Sequence, residues 1–387
     1  MGKIDELIKE LCPDGVEYVK LGEIATLSRG KVYSKEYVTE NAGVYPLYSS
    51  QTRNDGIFGL ISSFDYEGEY LTWTTDGAYA GSIFHRKGKF SITNVCGLIT
   101  IKNKCISYRF LYYWLSIHAK EYVYEGMGNP KLMTNQMIGI QIPLPPLSIQ
   151  QQIVEILDTF TDSISNLQEE LELREKQMEY YREDLFVNAE DAEWKTLGEI
   201  GTLIRGKRFC HRDSVESGIP CIHYGELYTY YGVSADTTKS FVREDLAPKL
   251  RFAKKGDVVI VGAGENDIDI GVGVAYFGER DVAVHDACYT FSNHNMNPKF
   301  VSYWLRTNTY HQQIRQYVSS GKICSISTDG LAKAKIPVPS LSRQQEIVDI
   351  LDTFESMITN IKEEIELRQK QYEYYREKLL TFEKKGV

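Results

Sequence analysis

Forty-five residues of this chain occur twice: Ile142 to Phe186 aligns with Ile336 to Leu380 at a constant offset of 194, without a gap and with 29 identities. A repeat of this length fixes architecture more firmly than any short motif. Both copies carry apolar and aromatic residues in alternating steps of four and three. The first seam runs Ile153, Leu157, Phe160, Ile164, Leu167, Leu171, Arg174, Met178, Tyr181, Leu185. The second runs Ile347, Leu351, Phe354, Ile358, Ile361, Ile365, Arg368, Tyr372, Tyr375, Leu379. A mean step of about 3.5 residues is the coiled-coil period.

Each copy opens on Pro followed by Ser-x-x-Gln, Ser148 to Gln151 and Ser342 to Gln345, which reads as a capping box at a helix start. Neither helix is interrupted by Gly or Pro, so each spans about 55–60 Å. Pairing of Leu157, Phe160, Ile164, Leu167 and Leu171 with Leu351, Phe354, Ile358, Ile361 and Ile365 is expected within the chain. The orientation expected is antiparallel, because a whole globular segment lies between the helices. An intermolecular coiled coil is the alternative. Arg174 and Arg368 fall on the seam and are expected to extend their heads to water over aliphatic stems.

The duplication reaches past the helices. Leu21-Gly-Glu-Ile-Ala-Thr-Leu-Ser-Arg-Gly-Lys31 matches Leu197-Gly-Glu-Ile-Gly-Thr-Leu-Ile-Arg-Gly-Lys207 at an offset of 176, and Tyr113-Trp-Leu115 matches Tyr303-Trp-Leu305 at 190. The growing offset means one framework used twice with loops of different length between its parts. Binding modules with different targets are built this way. Strands are expected at Tyr70–Gly77 and Gly81–Phe84, and at Gly256–Gly262 and Val272–Phe277; helices are expected at Phe110–Lys120 and Lys299–Gln313. Ile4–Leu11 reads as a short helix entering the first framework as the first long helix enters the second, so the C-terminal helix should end near the N-terminal segment. The fold expected is α+β: globular segments at 1–141 and 188–335 and long helices within 142–187 and 336–387, packed as an antiparallel coiled coil with pseudo-two-fold symmetry.

The net charge of −9 argues against a nucleic-acid partner only until it is partitioned. Residues 148–187 carry −7 and residues 342–387 carry −2, which leaves 33 acidic and 33 basic side chains for everything else. The acidic helices cannot lie along phosphates, whereas neutral modules with basic loops can. Basic residues interleaved with polar and aromatic groups fall in such loops, namely Arg29, Lys31, Lys35, Arg53, Arg86, Lys87 and Lys131, then Arg205, Lys207, Arg208, Arg212 and Lys322. Arg and Lys can meet guanine edges or phosphates; a solvated surface is the plainer reading of each cluster.

No catalytic constellation emerges. A phosphate-cradling G-x-x-x-x-G-K-[ST] motif is missing, and the glycines at 262–264 and 271–273 lack dinucleotide-site spacing. The seven cysteines show no zinc spacing and read as reduced thiols, with Cys96 and Cys288 as buried framework residues. No metal is expected. No run of 18 apolar residues and no signal-peptide core is present, so a cytoplasmic protein is expected.

The doubled helix start Pro-Leu-Pro-Pro-Leu-Ser-x-Gln-Gln-x-Ile-Val-x-Ile-Leu-Asp-x-Phe resembles the specificity subunits of type I restriction–modification enzymes, as does Leu11-Cys-Pro-Asp-Gly-Val-Glu-Tyr18 before Leu21-Gly-Glu-Ile24. The resemblance implies two target recognition domains, each reading one half of a bipartite, non-palindromic DNA sequence, with the helices as spacer. It implies a non-catalytic chain that binds double-stranded DNA and no cofactor. Two methylation subunits using S-adenosylmethionine and two restriction subunits using ATP and magnesium would complete the complex. Two alternatives stand beside it: a coiled-coil assembly adaptor without DNA specificity, and a specificity chain with its own nuclease or methyltransferase activity.

Overall fold

The computed structural model describes residues 2–102, 104–125, 128–189 and 192–386. The chain divides into two compact units: residues 1–166 with 365–387, and residues 167–364. Both long helices form, Leu147–Val187 and Leu341–Leu379, and each contributes one half to either unit. Among the described residues, no helix is long and apolar enough to cross a membrane.

In the first unit the helix halves meet antiparallel. Phe160 stacks on Tyr375 with ring centroids 5.4 Å apart. The second unit repeats the contact with Tyr181 on Phe354 at 5.3 Å. Every seam residue except the exposed Tyr181 is buried or half-buried, with Ile153, Leu157, Ile347 and Leu351 the most enclosed. Arg174 and Arg368 lie along the seam and donate to Gln177 and Gln371 on their own helices.

The helix starts correct the capping box. Both helices begin one residue before the serine, and Ser340, not Ser342, accepts from the Arg343 N–H. The residue that matters is the first Gln of each Gln-Gln pair. Gln150 is fully buried, accepts from the Ser107 N–H, and donates to the Cys105 and Pro145 carbonyls. Gln344 likewise accepts from the Asn297 N–H and donates to the Pro339 carbonyl. A buried amide with its donors and acceptor satisfied specifies orientation, because any shift would orphan it.

The first unit holds a six-stranded sheet in the order Ala25–Arg29, Cys96–Ile101, Tyr66–Thr74, Ile83–Ile92, Ala42–Tyr48, Ile57–Ile61. The second repeats its first four positions with Thr202–Arg205, Cys288–Ser292, Val258–Val261 and Gly273–Tyr276. Each unit also closes on a two-stranded pair, Tyr18–Lys20 with Gln141–Pro143 and Glu193–Thr196 with Lys335–Val338. The expected strand pairs are present and antiparallel.

Tyr108–His118 forms as one helix. The helix expected over Lys299–Gln313 is instead two, Pro298–Trp304 and Asn308–Ile314. The Thr307 hydroxyl accepts from the Tyr310 N–H and starts the second, so a side-chain cap ends the first run early.

The N-terminal helix Gly2–Leu11 is present, and the segment after it meets the end of the chain. The Val16 N–H donates to Glu383 O at 2.8 Å, the Lys385 N–H donates back to Val16 O at 3.0 Å, and the Tyr18 hydroxyl reaches Phe382 O.

Candidate nucleic-acid interface

The framework motif ends both times on Arg-Gly-Lys at a sheet end. Arg29 lies opposite Gly97 and Arg205 opposite Tyr289, the same register in the two sheets. The glycine is required by close approach. A Cβ on Gly30 would stand 2.0 Å from the Ile92 carbonyl oxygen, and one on Gly206 would stand 2.2 Å from two carbonyls, those of Val284 and His285. The backbone therefore turns tightly against the neighbouring strand and presents the flanking cations at its rim.

At that point each unit has a cleft. In the first unit it measures about 420 Å³ and is lined by Tyr33, Gln51, Asp76, Tyr79 and Asn94 among others. In the second it measures about 390 Å³, with Arg205, Asp286, Tyr289, Tyr317 and Ser319 in its lining. Asn94 and Asp286 precede Cys96 and Cys288 by two residues, so the same turn supplies both walls. The two thiols are buried in the sheet; burial pushes Cys96 up to about 12 and Cys288 higher still, which keeps both protonated and inert. Among the described residues no group of His, Cys, Asp and Glu could hold a metal ion.

Three of the sequence-predicted cations converge on the first cleft. Arg29 donates to Thr75 Oγ1 at 3.0 Å and Asp76 Oδ2 at 3.4 Å, and Lys131 stands 3.9 Å from Asp76. Lys31 pairs with Asp65 at 2.5 Å, and the Tyr33 hydroxyl donates to the same carboxylate at 2.7 Å. Burial pushes Asp65 up, but the bonds from Lys31 and Tyr33 outweigh it and leave it below its ordinary value. Lys35 and Arg53 are exposed, close in sequence to the lining residues Tyr33 and Gln51. In the second unit Arg205 donates from Nε to Asp286 O at 2.7 Å, and Lys207 and Arg208 follow it, exposed. Arg212 is exposed on a short turn, and Lys322 lies in the exposed loop after Ser319.

Two expected contacts fall elsewhere. Arg86 is 3% exposed, over the Tyr48 ring at 3.6 Å, paired with Asp55 Oδ2 at 2.5 Å and bonded to Asp55 O at 2.8 Å. It pins a turn and offers nothing to DNA, because burial and these partners consume its donors. Lys87 pairs with Glu69 at 3.5 Å and is not part of the cleft lining; Glu69 also holds His85, whose ring lies against Tyr112 of the domain helix. Asp76, Tyr79, Tyr289 and Tyr317 were not singled out from sequence, and Asp286 drew notice only as a neighbour of Cys288. A search for cations passes over the Asp76 carboxylate and the Asp286 carbonyl that aim them, and these tyrosines carry no local pattern.

A duplicated reader framework with two differently walled clefts, attached to an antiparallel helix pair, defines a paired-recognition protein. A sequence profile described as the type I restriction modification DNA specificity domain matches residues 13–174 and again 189–367. The chain belongs to that family. It is 31% identical over 372 residues to S.MpnORF507P of Mycoplasma pneumoniae, named as a type I specificity subunit, covering 94% of this chain and 97% of that one. The type I restriction enzyme MpnII specificity subunit of the same organism is 41% identical over 174 residues, 44% of this chain and 52% of that one. The crystal structure of a type I S subunit from M. genitalium superposes with a TM-score of 0.59 at 16% identity, covering 95% and 96% of the two chains. The HsdS subunit of Thermoanaerobacter tengcongensis gives 0.51 at 16%, covering 95% and 97%. These structural likenesses concern the fold.

Proposed function

We propose that this chain reads a bipartite, non-palindromic DNA sequence, with residues 1–141 and 188–335 as the two recognition domains and the long helices as the spacer and the docking surface for other subunits. The observation that carries this reading is the pair of clefts at one framework position with different walls, Arg205 lining one and its counterpart Arg29 bonded to Asp76 in the lining of the other. A cation common to both domains is suited to what every duplex offers, the phosphate backbone; walls that differ are suited to base edges. Arg29, Lys31, Arg205 and Lys207 accordingly position the duplex, while Gln51, Tyr79 and Asn94 on one side and Asp286, Tyr317 and Ser319 on the other select sequence. The chain acts without a reaction of its own. Two methylation subunits using S-adenosylmethionine and two restriction subunits using ATP and magnesium supply the chemistry of the complex, in the cytoplasm.

The test is to express the chain with its methylation subunit and sequence the methylome. One two-part motif with a fixed gap is expected. Exchanging residues 20–140 for those of a divergent relative should change one half alone, and inserting four residues within 150–185 should change the gap alone. Methylation that follows no sequence, or an insertion that rewrites the half-sites, would overturn the reading.

A further inference from the structure

A second cleft in the second unit, about 770 Å³, is separate from the recognition cleft and is lined by three arginines, Arg182, Arg306 and Arg315, together with His311 and a single carboxylate, Asp267. We propose that it binds a small phosphorylated anion of about nucleotide size.

Arg306 is held as if for a ligand. Arg306 is fixed by donating from Nη2 to the Gly232 carbonyl at 2.6 Å and the Gly273 carbonyl at 3.1 Å. Its Nε is enclosed and donates to nothing among the described residues, and the same is true of Nε of Arg182. Burial lowers the Arg306 guanidinium to about 10, Glu355 pulling it back and Arg182 pushing it further down. It stays charged at neutral pH, next to another cation. Of the acids beside Arg182 on the long helix, Glu179 accepts from the Asn308 side-chain amide. Glu183 is occupied, accepting from the N–H groups of Asn308 and Thr309 and from the Thr309 hydroxyl. Glu355 offsets the Arg306 charge in part, but the two enclosed Nε donors are left without an acceptor among the described residues, and an anion in the cleft would supply one.

The framework does not require this cluster. Ser116 stands in the first unit where Arg306 stands in the second. Arg182 does have a counterpart, Arg376, but that guanidinium lies over the Tyr372 ring, 5.1 Å from its centroid. The residue matching Tyr372 is Met178, so Arg182 has no aromatic face to rest on and lines the cavity. The duplicated arginine rests on a ring in one unit and lines the cleft in the other, with Nε enclosed and without an acceptor among the described residues in both, so Arg306 is the residue that sets the cleft apart.

The walls set the ligand class. Guanidinium forks match phosphate geometry, and a group carrying close to two charges suits three cations against one carboxylate better than a single carboxylate would. Ile268, Val272 and Ile314 give the cavity an apolar side, and its volume lies within the range of small-molecule sites, ~300–1,000 Å³. The site also touches the recognition cleft through one strand. Val318 and Ser320 line the arginine cavity while Ser319, between them, lines the other, the strand Val318–Ser319 turning successive side chains to opposite faces.

Isothermal titration of the full chain with AMP and with pyrophosphate tests this. One saturable site is expected for at least one probe; AMP alone would assign the apolar wall to a nucleoside, and pyrophosphate alone would assign the site to free polyphosphate. Arg306→Met and Arg182→Met should each weaken binding at least tenfold, and Ser116→Arg should leave it unchanged. Should Arg306→Met fail to fold by circular dichroism, Arg315→Met decides, since its guanidinium makes no hydrogen bond or ion pair with the described residues. Absence of saturable binding, equal binding by the arginine variants, or competitive displacement of the probe by duplex DNA would overturn the proposal, the last by making the cleft a seat for the DNA backbone.

Discussion

The Tyr113 hydroxyl donates to Asp158 Oδ1 at 2.5 Å, and Arg109 Nε reaches the same oxygen at 2.6 Å. The second unit repeats the couple with a different cation: Tyr303 donates to Asp352 Oδ1 at 2.8 Å and Lys299 to Oδ2 at 2.7 Å. Tyrosine and cation sit on the domain helix and aspartate on the long helix, so a charge-assisted hydrogen bond bolts reader to spacer in both units. Both tyrosines are held well above their ordinary pKa, by burial first and by the neighbouring carboxylate second, and they remain donors. Tyr113→Phe and Tyr303→Phe should each cost about 1–2 kcal/mol, the lower part of the range for a bond to a charged group because the carboxylates are about a third exposed. Urea unfolding checks this; a loss below about 0.5 kcal/mol would make the couple incidental.

The shared rim arginines should behave as phosphate contacts. Replacing Arg29 by Gln should weaken binding of the assembled complex to target and non-target duplex alike, and lower the slope of log K against log salt by about 0.9. Arg86→Gln supplies the contrast: it should lower stability and leave the slope intact, because its guanidinium is enclosed between Asp55 and Tyr48. A selective loss for one sequence on replacing Arg29 would instead make that residue a base reader.

The end of the chain should matter to the first unit. Val16 exchanges two backbone hydrogen bonds with Glu383 and Lys385, and the Phe382 ring lies 6.3 Å from that of Phe110 in the core. A chain stopped after Leu380 should lose about 2–4 kcal/mol, from two enclosed backbone bonds and one partly buried aromatic. Unfolding followed by Trp73 and Trp114 measures it; an unchanged midpoint would show that the tail adds no stability.

What could be read without coordinates was whatever repeats locally. The seam from Leu157 to Leu171 follows a period, and the Arg-Gly-Lys motif is visible because it occurs twice. Arg86 could not be told from Arg53, because the partners that bury it, Asp55 and Tyr48, lie 31 and 38 positions away. The capping box failed for the same reason. Ser148 satisfies the local pattern, whereas the start is governed by Gln150 reaching back 43 residues to Ser107. The clefts join Arg29 to Asp76 and Arg205 to Asp286 across the sheet, pairings that no spacing announces.

Acid should weaken the second unit before the first. Burial holds His223, His285, His294 and His311 below the ordinary imidazole value, Asp286 partly opposing this at His285 while His223 and Arg208 add to it. In the first unit His85 alone is shifted this way among the described residues, again by burial, with Glu69 opposing. The sign follows from linkage. Above about pH 6.5 both folded and unfolded chains hold neutral imidazoles and nothing is lost. Below it the unfolded chain takes up protons that the folded one refuses, so stability falls until the lower folded pKa values are passed. Each unit has two tryptophans, Trp73 and Trp114 in one and Trp194 and Trp304 in the other. Variants keeping one pair report each unit separately. Between pH 7.5 and 5.5 the urea midpoint reported by Trp194 and Trp304 should fall at least twice as far as that reported by Trp73 and Trp114, and His294→Gln should narrow the gap. Equal falls in the two units would show that the buried imidazoles of the second are not the groups that titrate.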